Sequence, residues 1–186
     1  MVHNTTGCTT QQASAKMRRL MLARHAKSSW GDVTLSDHDR PLNARGRKAA
    51  PRVARALTQS GFVPDLAYSS TSARTRETWA LMAPAFPEPP VVEFRHELYG
   101  ASPRGVLDII ASAPNDVTTL LVLGHNPSTH ALAAFLSDTG QTEQIDRLRY
   151  KFPTGAVAVI ELAGASWTDA GDGGKLLDFF LPRLLK

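Results

Sequence analysis

The sequence predicts an α/β protein, a three-layer α/β/α sandwich around a mainly parallel central sheet. Short apolar runs alternate with amphipathic segments along most of the chain, the pattern of repeated strand-to-helix units joined by short links. One run, Thr119-Leu120-Leu121-Val122-Leu123, is apolar nearly throughout, as a strand covered by helices on both faces has to be.

Taken in order, Leu20-Met21-Leu22-Ala23 reads as the first buried strand, and the polar residues from Gly31 to Pro41, among them Asp32, Asp37, Asp39 and Arg40, as a loop beyond its end. Between Leu42 and Ser60, Ala50, Val53, Ala54 and Leu57 recur at helical spacing, and Gly61 terminates the helix. Pro51 either kinks it or marks its true first turn. Leu66 to Ser69 gives a second strand; Ser70, Thr71 and Ser72 offer capping hydroxyls to a helix that reaches Ala83. Val91 to Phe94 is a third strand, and Ser102-Pro103 opens a helix around Val106, Leu107, Ile109 and Ile110. The run 119–123 is the central strand, after which Asn126 is expected to cap a helix over Ser128 to Leu136, with Pro127 at its first position. Ser137 to Lys151 is a polar connection, Ala156 to Leu162 a strand, and Leu176 to Leu181 an edge strand. Residues 1–16 read as a disordered arm and 17–186 as a single domain.

A hydrophobic fraction of 42% over 186 residues suffices for one core. The formal net charge of +4 mildly favours anionic partners. The basic residues form no run interleaved with aromatics, so nucleic acid is not the expected partner. The single cysteine, Cys8, allows no internal disulfide and suggests a reducing compartment, with the cytoplasm as default. No apolar stretch approaches the roughly 20 residues of a membrane span, so no membrane role is expected. The expected state is a monomer.

Chemistry concentrates at strand ends. Arg24 and His25 follow the first strand, Arg74 opens the helix after the second, and His125 follows the fourth. In such a sheet all of them reach the same carboxyl edge, where ligands bind. Phosphoryl transfer needs neutralised equatorial oxygens and an in-line nucleophile, which two arginines and two histidines can supply. His25 would be the nucleophile, with Arg24, Arg74 and His125 clamping the transferred group. No cofactor or metal is called for: His125 and His130 are five residues apart, and no His-Glu-x-x-His pattern occurs. Ser28, in the loop after His25, could donate a hydrogen bond to phosphate, although loop serines commonly cap their own backbone. Asp39 and Arg40 could pair to order that loop. Trp30 and Trp79 read as packing residues, and His3, His38, His96 and His130 carry no pattern.

Arg24-His25-Ala26 resembles the Arg-His-Gly signature of the histidine phosphatase superfamily, whose fold is that of the phosphoglycerate mutases. Ser70-x-x-x-Arg74-x-x-x-Thr78 and Leu123-Gly124-His125-Asn126-Pro127 resemble its second-arginine and second-histidine motifs. Arg24 to Trp30, Asp39-Arg40-Pro41-Leu42-Asn43-x-Arg45-Gly46, Glu97-Leu98-Tyr99 and Phe152-x-Thr154-Gly155-Ala156 are similar to the small SixA-like phosphohistidine phosphatases. The resemblance implies a cofactor-independent phosphatase with a covalent phosphohistidine on His25, Arg24, Arg74 and His125 as phosphate ligands, and a phosphorylated signalling protein as partner. Alternatives are a phosphatase of small phosphomonoesters or nucleotides and a non-catalytic phosphohistidine-binding module. Ala26 replaces the signature glycine, which is harmless only if the backbone there avoids positive φ. Glu97 lies near the position of the proton donor in larger relatives and reads equally as a solvated strand-end carboxylate.

Overall fold

The computed structural model describes residues 17–185; the expected N-terminal arm and Cys8 lie outside them. Seven strands, β1 (Arg19–Arg24), β2 (Leu66–Ser70), β3 (Val91–Arg95), β4 (Thr119–Gly124), β5 (Ser137–Gly140), β6 (Val157–Leu162) and β7 (Gly174–Phe180), form one sheet in the order β3-β2-β4-β1-β6-β7-β5. The pairs β3–β2, β2–β4, β4–β1 and β7–β5 are parallel, while β6 runs antiparallel to both β1 and β7. The helices are α1 (Ala44–Gln59), α2 (Ala73–Met82), α3 (Pro103–Ala111), α4 (Ser128–Leu136) and α5 (Thr142–Tyr150).

The strand period of two divides the apolar run of β4 between two cores. Leu120 and Val122 pack with Val106 and Ile110 of α3, Leu132 and Leu136 of α4, and Ile145 and Leu148 of α5. Leu121 and Leu123 pack on the other face with Val53, Ala54 and Leu57 of α1 and Trp79 and Met82 of α2. This is the expected three-layer sandwich, its sheet mixed but mainly parallel. No helix among the described residues is long and apolar enough to cross a membrane.

Several expectations are corrected. Helix α1 starts at Ala44 with Asn43 as its cap, accepting from the Gly46 amide at 2.9 Å, so Pro51 is interior. Gly46 is required there because a Cβ would collide with the Lys27 backbone, against which the first turn of α1 lies. Asn126 does not cap α4; it precedes a cis peptide to Pro127, and its amide donates to the Phe152 carbonyl at 3.0 Å. The connection 137–151 contains β5 and α5, too short and too polar to announce themselves by pattern. Strand β7 is internal, because β5 forms the edge beside it.

Candidate active site

Strand register brings the two histidines together. Arg24, the last residue of β1, is the partner of Gly124, the last of β4, so the next residue on each chain emerges at the same level. These residues are His25 and His125, whose ring centroids stand 5.2 Å apart. On the other side of β4, Ser69 pairs with Leu123, which sets Ser70 level with the same ends; its Oγ lies 2.9 Å from His125 Nε2. Arg74 enters from the first turn of α2, capped by Ser72, and its NH2 reaches His125 Nδ1 at 3.4 Å.

Hydrogen-bond partners fix the tautomers. His25 Nδ1 is 2.7 Å from the Ala26 carbonyl, which can only accept, so Nδ1 carries the proton and Nε2 keeps its lone pair. Arg74 can only donate, so His125 Nδ1 accepts and its Nε2–H donates to Ser70. Burial, with proximity to His125 and the charges of Arg74 and Arg24 adding to it against the Ala26 hydrogen bond, lowers the His25 pKa to about 3. Burial, followed by the Arg74 charge, lowers that of His125 to about 4. Both rings are therefore neutral at physiological pH.

Two guanidiniums face this pair. Arg24 donates through NH1 to the Phe152 carbonyl at 2.8 Å, while burial and the Arg74 charge depress its pKa. Among the described residues the buried Nε atoms of Arg24 and Arg74 have no hydrogen-bond partner. Buried donors on two cations, beside neutral imidazoles, are satisfied by an anion that accepts several hydrogen bonds at once. Among the described residues no three His, Cys, Asp or Glu side chains converge as metal ligands would.

The turn that carries His25 is braced from two sides. The Ala26 amide donates to Thr78 Oγ1 at 3.0 Å, and that hydroxyl donates to the Arg74 carbonyl at 2.6 Å, tying the turn to α2. Across the turn, the Gly155 amide donates to the carbonyls of Arg24 and His25 from a φ of +78°. Ala26 is not at positive φ, so its Cβ in place of the signature glycine carries no strain.

The structure thus gathers Arg24, His25, Arg74 and His125, and among the described residues no hydrogen bond or ion pair joins Ser28 or Glu97 to them. Ser28 is buried in a backbone bridge with Leu42, and its carbonyl accepts from Asn43 Nδ2 at 3.3 Å. Glu97 is exposed in a short 3-10 helix, His96–Leu98, without a hydrogen bond or ion pair among the described residues.

The principal residue missed is Asp37. It takes the Arg40 guanidinium at 2.9 Å, Arg74 at 3.0 Å and the Tyr99 hydroxyl at 2.8 Å. Asp39, expected to hold Arg40, instead accepts from Ser36 and approaches His38. His38 and His96 are not isolated: His38 Nε2 is 3.1 Å and His96 Nδ1 3.3 Å from Thr71 Oγ1, and His38 stacks edgewise on Tyr99. Trp30 is no core residue; it is 71% exposed with Arg40 lying 3.4 Å over its ring, whereas Trp79 is buried. The only signal for Asp37 was a run of loop acids after a strand that ends in arginine.

Residues 20–98 match the model of the histidine phosphatase superfamily, branch 1. An uncharacterized Mycobacterium tuberculosis protein is 39% identical over 166 residues, covering 86% of this chain and 99% of that one. A Nakamurella multipartita structure described as a candidate phosphohistidine phosphatase SixA superposes with a TM-score of 0.76 at 32% identity, covering 89% of this chain and 96% of the other. A similarly described structure from Agrobacterium tumefaciens gives 0.74 at 30% identity, covering 89% and 98%.

Proposed function

Since this chain belongs to the histidine phosphatase superfamily, within its SixA-like branch, we propose that it removes the phosphoryl group from protein phosphohistidine through a covalent intermediate on His25. The observation that carries this is the 2.7 Å contact from His25 Nδ1 to the Ala26 carbonyl, which leaves Nε2 unprotonated beside two arginines with unused donors. In the first step Nε2 forms a bond to phosphorus as the bond to the leaving nitrogen breaks, and the departing imidazole takes up a proton. In the second, water forms the new P–O bond, loses a proton to solvent, and the P–Nε2 bond breaks to return neutral His25 and inorganic phosphate. Arg24 and Arg74 would neutralise the equatorial oxygens, and His125 would contact them by turning its Nε2–H from Ser70 Oγ to a phosphoryl oxygen. The substrate class is supported by the SixA-like relatives and by a site in which Glu97 has no positioned partner. An imidazole leaving group needs less acid assistance than an alkoxide.

The test is hydrolysis of a phosphohistidine peptide beside p-nitrophenyl phosphate, in EDTA, by the wild type and His25→Ala. Faster turnover of the peptide, abolished by the substitution, is the expected result. Turnover of the ester alone would restrict the activity to small phosphomonoesters, and turnover by His25→Ala would remove His25 from the mechanism.

A further inference from the structure

A groove walled by cations runs beside the catalytic turn. Three adjoining hollows of about 410, 410 and 100 Å³ share Arg45 and Arg183 in their linings. Lys48 and Arg52 of α1 continue the wall on one side, Arg147 and Lys151 at the end of α5 on the other, and Lys27 closes it toward the active site. Among the described residues no carboxylate lines any of the three.

Its position follows from the topology. The end of β7 pairs with Val157 at the start of β6, and Val157 pairs with Ala23, so Pro182 and Arg183 emerge at the same sheet edge as His25. The point where a Cβ would stand on Gly155 is 3.1 Å from Pro182 and 3.9 Å from Ala26, so a single glycine separates the groove from the nucleophile's turn.

Local physics does not account for these charges. The sequence of α1 contains Arg45, Arg47, Lys48, Arg52 and Arg55 and no acid, with three of those cations in the first five positions. The helix dipole disfavours cations there, and local conflicts of this kind collect at functional surfaces. Among the described residues Arg45, Lys48, Lys151 and Arg183 have no ion-pair partner, whereas Arg147 pairs with Glu143 at 2.5 Å.

We propose that this groove docks an acidic segment of the phosphoprotein whose phosphohistidine enters the His25 site, an inference that rests on the phosphatase reading above. From Arg45 to Arg52 the wall spans about 10 Å of helix, more than the arginine clamp needs for one phosphoryl group. A protein substrate can engage both at once. Nucleic acid is the less favoured occupant because the lining offers a single aromatic, Tyr150, on which to stack bases.

The experiment compares two synthetic peptides carrying one phosphohistidine, flanked either by Asp and Glu or by Ser and Gln, on the wild type and the double variant Arg45→Glu/Lys48→Glu. Acids near the start of α1 suit its dipole, so the variant keeps its fold. The acidic peptide should have a kcat/KM about tenfold above the neutral one at low salt, an advantage lost in about 0.5 M NaCl and in the double variant. The neutral peptide should be unaffected by the substitutions. Binding of the labelled, unphosphorylated acidic peptide is measured in parallel and should weaken about tenfold in the variant. Because this readout needs no turnover, binding without hydrolysis would overturn only the catalytic reading. Equal rates on the two peptides, equal binding to both proteins, or displacement of the acidic peptide by a single-stranded oligonucleotide that binds more tightly would overturn the docking proposal.

Discussion

Asp37 grips Arg74 twice, its carboxylate accepting from NH2 at 3.0 Å and its main-chain carbonyl from NH1. The guanidinium is thereby held from the loop after β1 while its backbone belongs to α2, and its third nitrogen, Nε, has no hydrogen-bond partner among the described residues. The Tyr99 hydroxyl, followed by the charges of Arg74 and Arg40, holds the Asp37 carboxyl down to about 2. Three segments distant in sequence therefore meet on one carboxylate, although its side chain is half exposed.

Asp37→Ala is expected to lower kcat/KM for phosphohistidine by about tenfold, mainly through KM, because Arg74 loses its orientation but keeps its charge. Asp37→Asn, which retains acceptors for Arg74 and Tyr99, should fall between the two. Unfolding midpoints should fall modestly, since the Asp37 carboxylate is half exposed while the Arg74 guanidinium it leaves behind is buried. Unchanged kinetics in Asp37→Ala would deny it a positioning role.

The depressed histidines set a pH signature. With folded values of about 3 for His25 and about 4 for His125 against an unfolded value near 6.5, the unfolded chain binds more protons between those limits. Stability is then fully present above 6.5 and falls as pH drops toward 4 and 3, by about 1.4 kcal/mol per pH unit for each excluded proton. In histidine-selective NMR, the ring signals of His25 and His125 should stay constant from pH 8 to about 5.5. Titration of both near 6.5 would contradict the neutral pair. Saturating phosphate should raise both values, since an anion opposes the repulsion from Arg24 and Arg74.

The strands and helices that frame the site were legible because their apolar periods are undiluted, as in β4, and because Arg24, His25, Arg74 and His125 all stand next to such elements. Asp37 was not, because it lies in a loop without period, and its partners Arg74 and Tyr99 come from elements brought near only by the strand order β3-β2-β4-β1. The same holds for β5, whose four residues Ser137–Gly140 are mostly exposed and exist as a strand only because β7 offers an open edge. Asn126 misled for a different reason. Its residue type suits a cap, but its Nδ2 is anchored on the Phe152 carbonyl, and its Oδ1, the atom that would cap, finds no partner among the described residues.

Gly155→Ala should disturb folding and chemistry together. A side chain at φ +78° costs about 1–2 kcal/mol, and its Cβ would stand 3.1 Å from Pro182. Since the Gly155 amide holds the carbonyls of both Arg24 and His25, relief of that strain would move the His25 ring. Denaturant unfolding should register the lost stability, and kcat should fall by about tenfold at temperatures where the variant is fully folded. A stability loss with an unaltered kcat would assign Gly155 to the scaffold alone.

Glu97 is where substrate chemistry and site chemistry can be separated. It is exposed and has no hydrogen bond or ion pair among the described residues, yet its turn runs into Tyr99, whose ring lies 5.5 Å from that of His125 at the edge of the candidate site. An alkoxide departs only with a proton close at hand, whereas the imidazole of a phosphohistidine can leave after protonation from solvent. Glu97→Gln is therefore expected to lower kcat for phosphomonoesters of poor leaving groups by about 100-fold while changing phosphohistidine hydrolysis by less than about threefold. Among a series of aryl phosphates, the loss should shrink as the leaving phenol becomes more acidic. A uniform loss across esters and phosphohistidine would place Glu97 in binding, and no loss on any ester would leave it a solvated carboxylate at the end of β3.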